Sequence, residues 1–131
     1  MMTDPISDML TRLRNAIMAG HKQIELPGSK LKFALAKILE TEGFLDNVHI
    51  VEVGPRKLLK AKFAVGDAGI PKIQAITRIS KPGLRVYKKA TDLRPVRSGF
   101  GIAIISTPNG LMTAKEARKR SLGGELICEV Y

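Results

Sequence analysis

The chain has 131 residues, 44% hydrophobic and 26% charged, with a mean hydropathy of 0.00, which suits one core or two small ones sharing an interface and excludes disorder throughout. Its single cysteine, Cys128, excludes an intrachain disulfide and a multi-cysteine zinc cluster, and suits a reducing compartment. Twenty-two Lys and Arg against 12 Asp and Glu leave a net charge of +10, which points to a polyanionic partner, with nucleic acid ahead of an acidic membrane and a merely basic, partnerless surface as the bland alternative.

In chain order, Asp4–Pro5 reads as a helix start, and Ile6, Met9, Leu10, Leu13 and Ile17 recur at helical spacing up to a stop at Gly20. A short extended run over 23–26 ends at Pro27–Gly28. Ser29 then caps a second helix with an apolar stripe of Leu31, Ala34, Leu35, Ile38 and Leu39, ending at Gly43. From Phe44 the period changes. Val48, Ile50, Val51 and Val53, a Gly54–Pro55 turn, and Leu58, Leu59, Ala61, Phe63 and Val65 read as a hairpin. The turn residues Gly66, Asp67, Ala68 and Gly69 form the one convincing linker, and the domain boundary is placed there.

Beyond it, residues 73–80 alternate as a strand, Lys81–Pro82–Gly83 makes a tight turn, and residues 84–88 return as the partner strand. A short irregular or one-turn helical piece covers 91–96. Residues 100–106 read as an apolar strand, 107–110 as a turn, and Thr113 with Glu116 as a capping box opening a short basic helix. Residues 125–131 close as a strand. The expected fold class is α+β with two small domains. Residues 1–68 place two helices on a small sheet, and residues 69–131 are mainly β with a short helix. Residues 1–68 hold ten basic and eight acidic side chains, a balance of +2, whereas 69–131 hold twelve and four, a balance of +8.

The opening MMTDPISDML lacks the basic start and unbroken apolar run of an export signal. No uncharged apolar run approaches the ~20 residues needed to span a bilayer, so a cytoplasmic location without a membrane partner is expected. Catalysis finds no constellation. His21 and His49 stand at no metal-ligand spacing to each other or to Cys128, which lies in the apolar pattern of Leu126, Ile127 and Val130 and reads as a buried, inert thiol. There is no Walker loop, and Gly99 with Gly101 lacks the preceding strand and third glycine of a dinucleotide fingerprint. Neither an enzyme nor a cofactor is expected.

Nucleic-acid binding is better supported. Aromatics are 5% of the chain, and Phe33, Phe44 and Phe63 fall within apolar patterns, so a platform stacking successive unpaired bases is disfavoured. What remains is a folded, largely helical RNA or DNA gripped through its phosphates. Basic residues cluster at Lys81, Arg85, Lys88 and Lys89, at Arg94 and Arg97, and at Lys115, Arg118, Lys119 and Arg120. A solvated helix face accounts for isolated members; three neighbouring clusters suggest a phosphate-tracking surface. Tyr87 is either a stacking ring or an ordinary strand-edge tyrosine. Ser106 and Thr107 either read a base edge or 2′-hydroxyl or serve turn chemistry alone. Gly123–Gly124 permits close backbone approach by another chain or RNA, and Glu125 either takes a specific donor near phosphates, such as a base amino group or a neighbouring Arg, or makes a structural salt bridge.

Four separated segments in order, DPISDMLTRLRN (4–15), SKPGLRVY (80–87), GIAIISTPNGLMTAKEAR (101–118) and LGGELIC (122–128), resemble the bacterial form of small ribosomal subunit protein eight, the uS8 family, effectively end to end. The resemblance implies a non-enzymatic constituent of the small ribosomal subunit that binds directly to a helical segment of the central domain of 16S rRNA. It also implies a part in early assembly of the platform, neighbouring small-subunit ribosomal proteins as partners and, in some bacteria, repression of its own operon mRNA. The resemblance further implies that the carboxyl-terminal part makes the main contacts, which would carry over to Ser106, Thr107, Gly123, Gly124 and Glu125, with Tyr87 in support. Arg85, Lys88, Lys89, Lys115 and Arg118 are the accompanying phosphate contacts expected from charge. The alternative is a free-standing regulator that binds structured RNA or DNA outside the ribosome. Ser121 departs from the family, which often has Gly there.

Overall fold

The computed structural model describes residues 5–96, 99 and 101–131, which divide after Ile73 into two compact units. The first unit holds helices α1 (Pro5–Met18) and α2 (Lys30–Thr41) and strands β1 (Gln23–Pro27), β2 (Leu45–Val53) and β3 (Arg56–Phe63), sheet order β1-β3-β2, all antiparallel. α1 buries Ile6, Met9, Leu10 and Leu13 at the expected spacing, and its expected cap Asp4 lies outside the described residues. Ser29 caps α2, its side chain accepting from the Lys32 N–H at 3.2 Å. β2 and β3 meet at Gly54–Pro55, with Val53 opposite Arg56 and Gly54 at φ +61°.

The stripe expected on α2 is rotated. Leu35, Ala36 and Leu39 are buried together with Lys32, while Leu31 is exposed. The stem of Lys32 lies along the core and its Nζ donates to the Pro27 carbonyl at 3.3 Å, so a residue counted as polar occupies an apolar position. The Gly66–Gly69 turn belongs to the first unit. The Gly66 N–H donates to Ile70 O and Lys72 N–H to Ala64 O, and the division between units falls after Ile73.

The second unit is a five-stranded antiparallel sheet: β4 (Ile76–Arg78), β5 (Tyr87–Lys88), β6 (Ile102–Thr107), β7 (Gly110–Thr113) and β8 (Gly124–Val130), with α3 (Ala114–Lys119). The main path is β4-β8-β6-β7, and β5 also pairs with β8. Residues 73–80 and 84–88 therefore do not form the expected two-stranded ladder; β4 and β5 each pair with a different stretch of β8. The turn between them is real, Lys81 and Leu84 exchanging two backbone bonds of 2.9 Å. Behind it the fully buried Ser80 hydroxyl accepts from Val86 N–H at 2.9 Å and faces the Val86 carbonyl, so a side chain replaces the ladder. β7, inside the stretch read as turn and cap, was not anticipated, and Phe100 lies outside the described residues.

One face of this sheet packs Ala103, Ile105 and Met112 against Ala114 and Ala117 of α3 and against Leu93 and Val96. The register of β6 on β8 shifts between Ile104 and Ile105, which lets consecutive Ile127 and Cys128 both be buried. Burial pushes the Cys128 thiol up to about 12, Glu129 adding to the rise and Arg78 opposing it, so the thiol stays protonated.

Candidate nucleic-acid interface

The pairing register brings one end of the second sheet together. Tyr87 on β5 stands opposite Glu125 on β8, and Glu125 opposite Ser106 on β6. Directly paired residues share a sheet face, so Tyr87, Glu125 and Ser106 form one row across three strands. Ile105 alternates with Ser106 and packs towards α3, which puts the row on the face away from α3. Tyr87 is 69% exposed, Ser106 partly exposed.

Glu125 is held from the side. Its Oε2 accepts from Arg85 Nη1 at 3.0 Å, with the carboxylate side chain only 18% exposed. The pair removes the net charge that would repel a polyanion and leaves acceptor capacity on the carboxylate. Sequence reading named both residues but not their pairing; forty positions apart, they carry no local signal.

Thr107 behaves differently from Ser106. It is 7% exposed, and its Oγ1 donates to Gly110 O at 2.9 Å and accepts from Asn109 N–H at 3.1 Å. Its hydroxyl closes the β6–β7 turn and so mounts Ser106 at a rigid strand end.

Gly123 and Gly124 are explained by the chain itself. A Cβ on Gly124 would lie 2.0 Å from the Ser106 carbonyl oxygen, and one on Gly123 would lie 2.6 Å from the Lys88 carbonyl oxygen. The close backbone approach that glycine permits is thus made by β6 and by the end of β5 with the residue that follows it.

The cations lie around this end. Lys88 pairs with Gly124 and, alternating with Tyr87, belongs to the opposite face from the row. Lys89 and Arg118 line a common cleft on the α3 side. Lys115, Arg118 and Lys119 are exposed on one flank of α3, while Arg120 on the other pairs with Glu116 at 2.8 Å. The helix is opened as expected, Thr113 Oγ1 accepting from Glu116 N–H at 3.2 Å. Lys81 and Arg94 are exposed, and Arg97 lies outside the described residues.

Elsewhere, His21 and His49 are exposed, His49 Nδ1 lying 2.8 Å from Asn47 O. Among the described residues no three His, Cys, Asp or Glu side chains are grouped to hold a metal ion, and no helix is long and apolar enough to cross a membrane.

Comparison with known proteins identifies the family. The model of the family "Ribosomal protein S8" matches residues 4–131. The small ribosomal subunit protein uS8 of Solibacter usitatus is 47% identical over 131 residues, covering the whole of both chains. That of Streptococcus sanguinis is 50% identical over 130 residues, covering 99% of this chain and 98% of the relative, and that of Finegoldia magna is 50% identical over the full length of both. With a match from residue 4 to the last residue and about half of all positions shared across both units, the chain belongs to the ribosomal protein S8 family.

Proposed function

We propose that the second unit holds a helical segment of the central domain of 16S rRNA, with selection by the Tyr87–Glu125–Ser106 row and affinity from Arg85, Lys88, Lys89, Lys115 and Arg118. As a member of its family the chain is a structural constituent of the small ribosomal subunit, not an enzyme, and works on the ribosome in the cytoplasm. The observation that carries the finer reading is the convergence, across three strands and on one face, of an exposed aromatic ring, a carboxylate neutralised by Arg85 and a hydroxyl, with Lys88, Lys89 and Arg118 towards the other face of the same sheet end. A ring can stack on a splayed base, while the carboxylate accepts from a base amino group or 2′-hydroxyl and the serine donates or accepts. Gly123–Gly124 and Thr107 serve by holding the strands that present these groups. Membership of the family supports a part in platform assembly and neighbouring ribosomal proteins as partners, and an operon mRNA folded like the rRNA helix would be held by the same row.

The test is binding of the full chain to the rRNA segment and to an unrelated hairpin across a salt series. Ser106→Ala should cost about 1–3 kcal/mol on the rRNA segment and leave the salt slope unchanged. Equal weakening on both RNAs would refute selection by the row.

A further inference from the structure

We propose that the cleft between the turn Ala90–Asp92 and the carboxyl-terminal end of α3 is the seat of one backbone phosphate of the bound RNA. The cleft, of about 480 Å³, is lined by Lys89, Ala90, Thr91, Arg118 and Ser121. Four of these five residues carry hydrogen-bond donors, two of them cationic, which is the complement of a phosphodiester rather than of a cation or an apolar group. Neither Lys89 nor Arg118 has an ion-pair partner among the described residues. Of the nearby acids, Glu116 is taken by Arg120, and Asp92 is exposed at the far end of the turn. The partial negative charge of the helix end is also quenched. Leu122 N–H donates to Ala117 O at 2.8 Å and Ser121 N–H to Arg118 O at 3.1 Å.

A second observation singles out Ser121. These two bonds are a Schellman cap, and Ser121 occupies its left-handed position at φ +59°, where glycine is the unstrained choice. A side chain kept at that position stands in the cleft beside Arg118, and strain retained at a ligand-facing residue is accounted for by what the side chain does there. The Ser121 hydroxyl is assigned as a phosphate donor. Continuity with the proposed interface identifies the phosphate as RNA: Lys89 follows Lys88, which pairs with Gly124, and Gly123 lies against Lys88 and Lys89.

This inference rests on RNA binding by the second unit, and the experiment separates the two. In the full chain, Ser121→Gly should raise the melting temperature, because strain is relieved, yet weaken RNA about three- to ten-fold with an unchanged salt slope. Arg118→Gln should lower the salt slope by about one on every RNA tested. Inorganic phosphate, titrated against the isotope-labelled chain, reports the competing source through the amide resonances of Ala90, Thr91 and Ser121. Wild-type RNA affinity in both variants would overturn the proposal; if phosphate nevertheless shifted those amides, the cleft would be a free-phosphate site. A wild-type chain that does not prefer its rRNA segment would sink the selective reading alone, since both variants can be scored on any RNA that binds.

Discussion

Gly124 is the residue on which the interface depends most directly, and for a steric rather than a conformational reason. A methyl group there would sit 2.0 Å from the Ser106 carbonyl oxygen, so β8 would have to leave β6 just where Glu125 meets Ser106. Gly124→Ala should lose about 1–3 kcal/mol of stability by overpacking, read from urea midpoints, and should weaken selection of the rRNA segment more than binding to an unrelated hairpin. Gly20 has φ +77° and nothing within 4 Å of a built Cβ. Gly20→Ala should therefore cost about 1–2 kcal/mol from backbone strain and leave selection intact. At this scale the sequence displayed the glycine pair and the two hydroxyls but not their division of labour. Ser106 and Thr107 are chemically alike. Only the turn geometry commits the Thr107 hydroxyl to Gly110 and Asn109.

Among the elements, the α2–β2 connection shows how a side chain can do the work of a backbone bond. Glu40 in α2 accepts from the Val48 N–H at 2.8 Å and from Lys37 Nζ at 3.0 Å, next to the register shift between Asp46 and His49. The Val48 bond, followed by Lys37, holds its carboxyl below the usual carboxylate range. A lowered carboxyl value stabilises the fold above the unfolded-state pKa of about 4.3, and that contribution is lost as pH falls through the folded value. Glu40→Gln should lower the urea midpoint at pH 7 and match the wild type at pH values below the folded titration. A gap of equal size in acid would assign the effect to packing. The helix positions, the β2–β3 hairpin and the capping of α2 and α3 were legible because each depends on residues three or four apart, or on a two-residue turn. The pairing of β4 and β5 was not. A tight turn predicts that two segments run back to back, but Ser80 intervenes and both segments find β8 instead.

For the molecule as a whole, the charge asymmetry makes a prediction independent of any single contact. Lys88→Glu with Lys89→Glu should weaken RNA binding and reduce the salt slope by roughly two, whereas Lys57→Glu with Lys62→Glu, an equal change of net charge on exposed positions of the first unit, should leave the slope near its wild-type value. Equal slopes would mean that net charge rather than its placement drives association. The sequence by itself determined the α+β class, the presence of two units, the excess positive charge of the second and the family to which the chain belongs, because these follow from periodicity, composition and motif order along the chain. Tertiary structure alone decided that Tyr87, Glu125 and Ser106 form one row, that Arg85 neutralises Glu125, and that the close approach to Gly123 and Gly124 is made by the protein's own strands. Strand register is set by what an entire sheet can bury, and no local pattern encodes which of several distant partners a short strand will take.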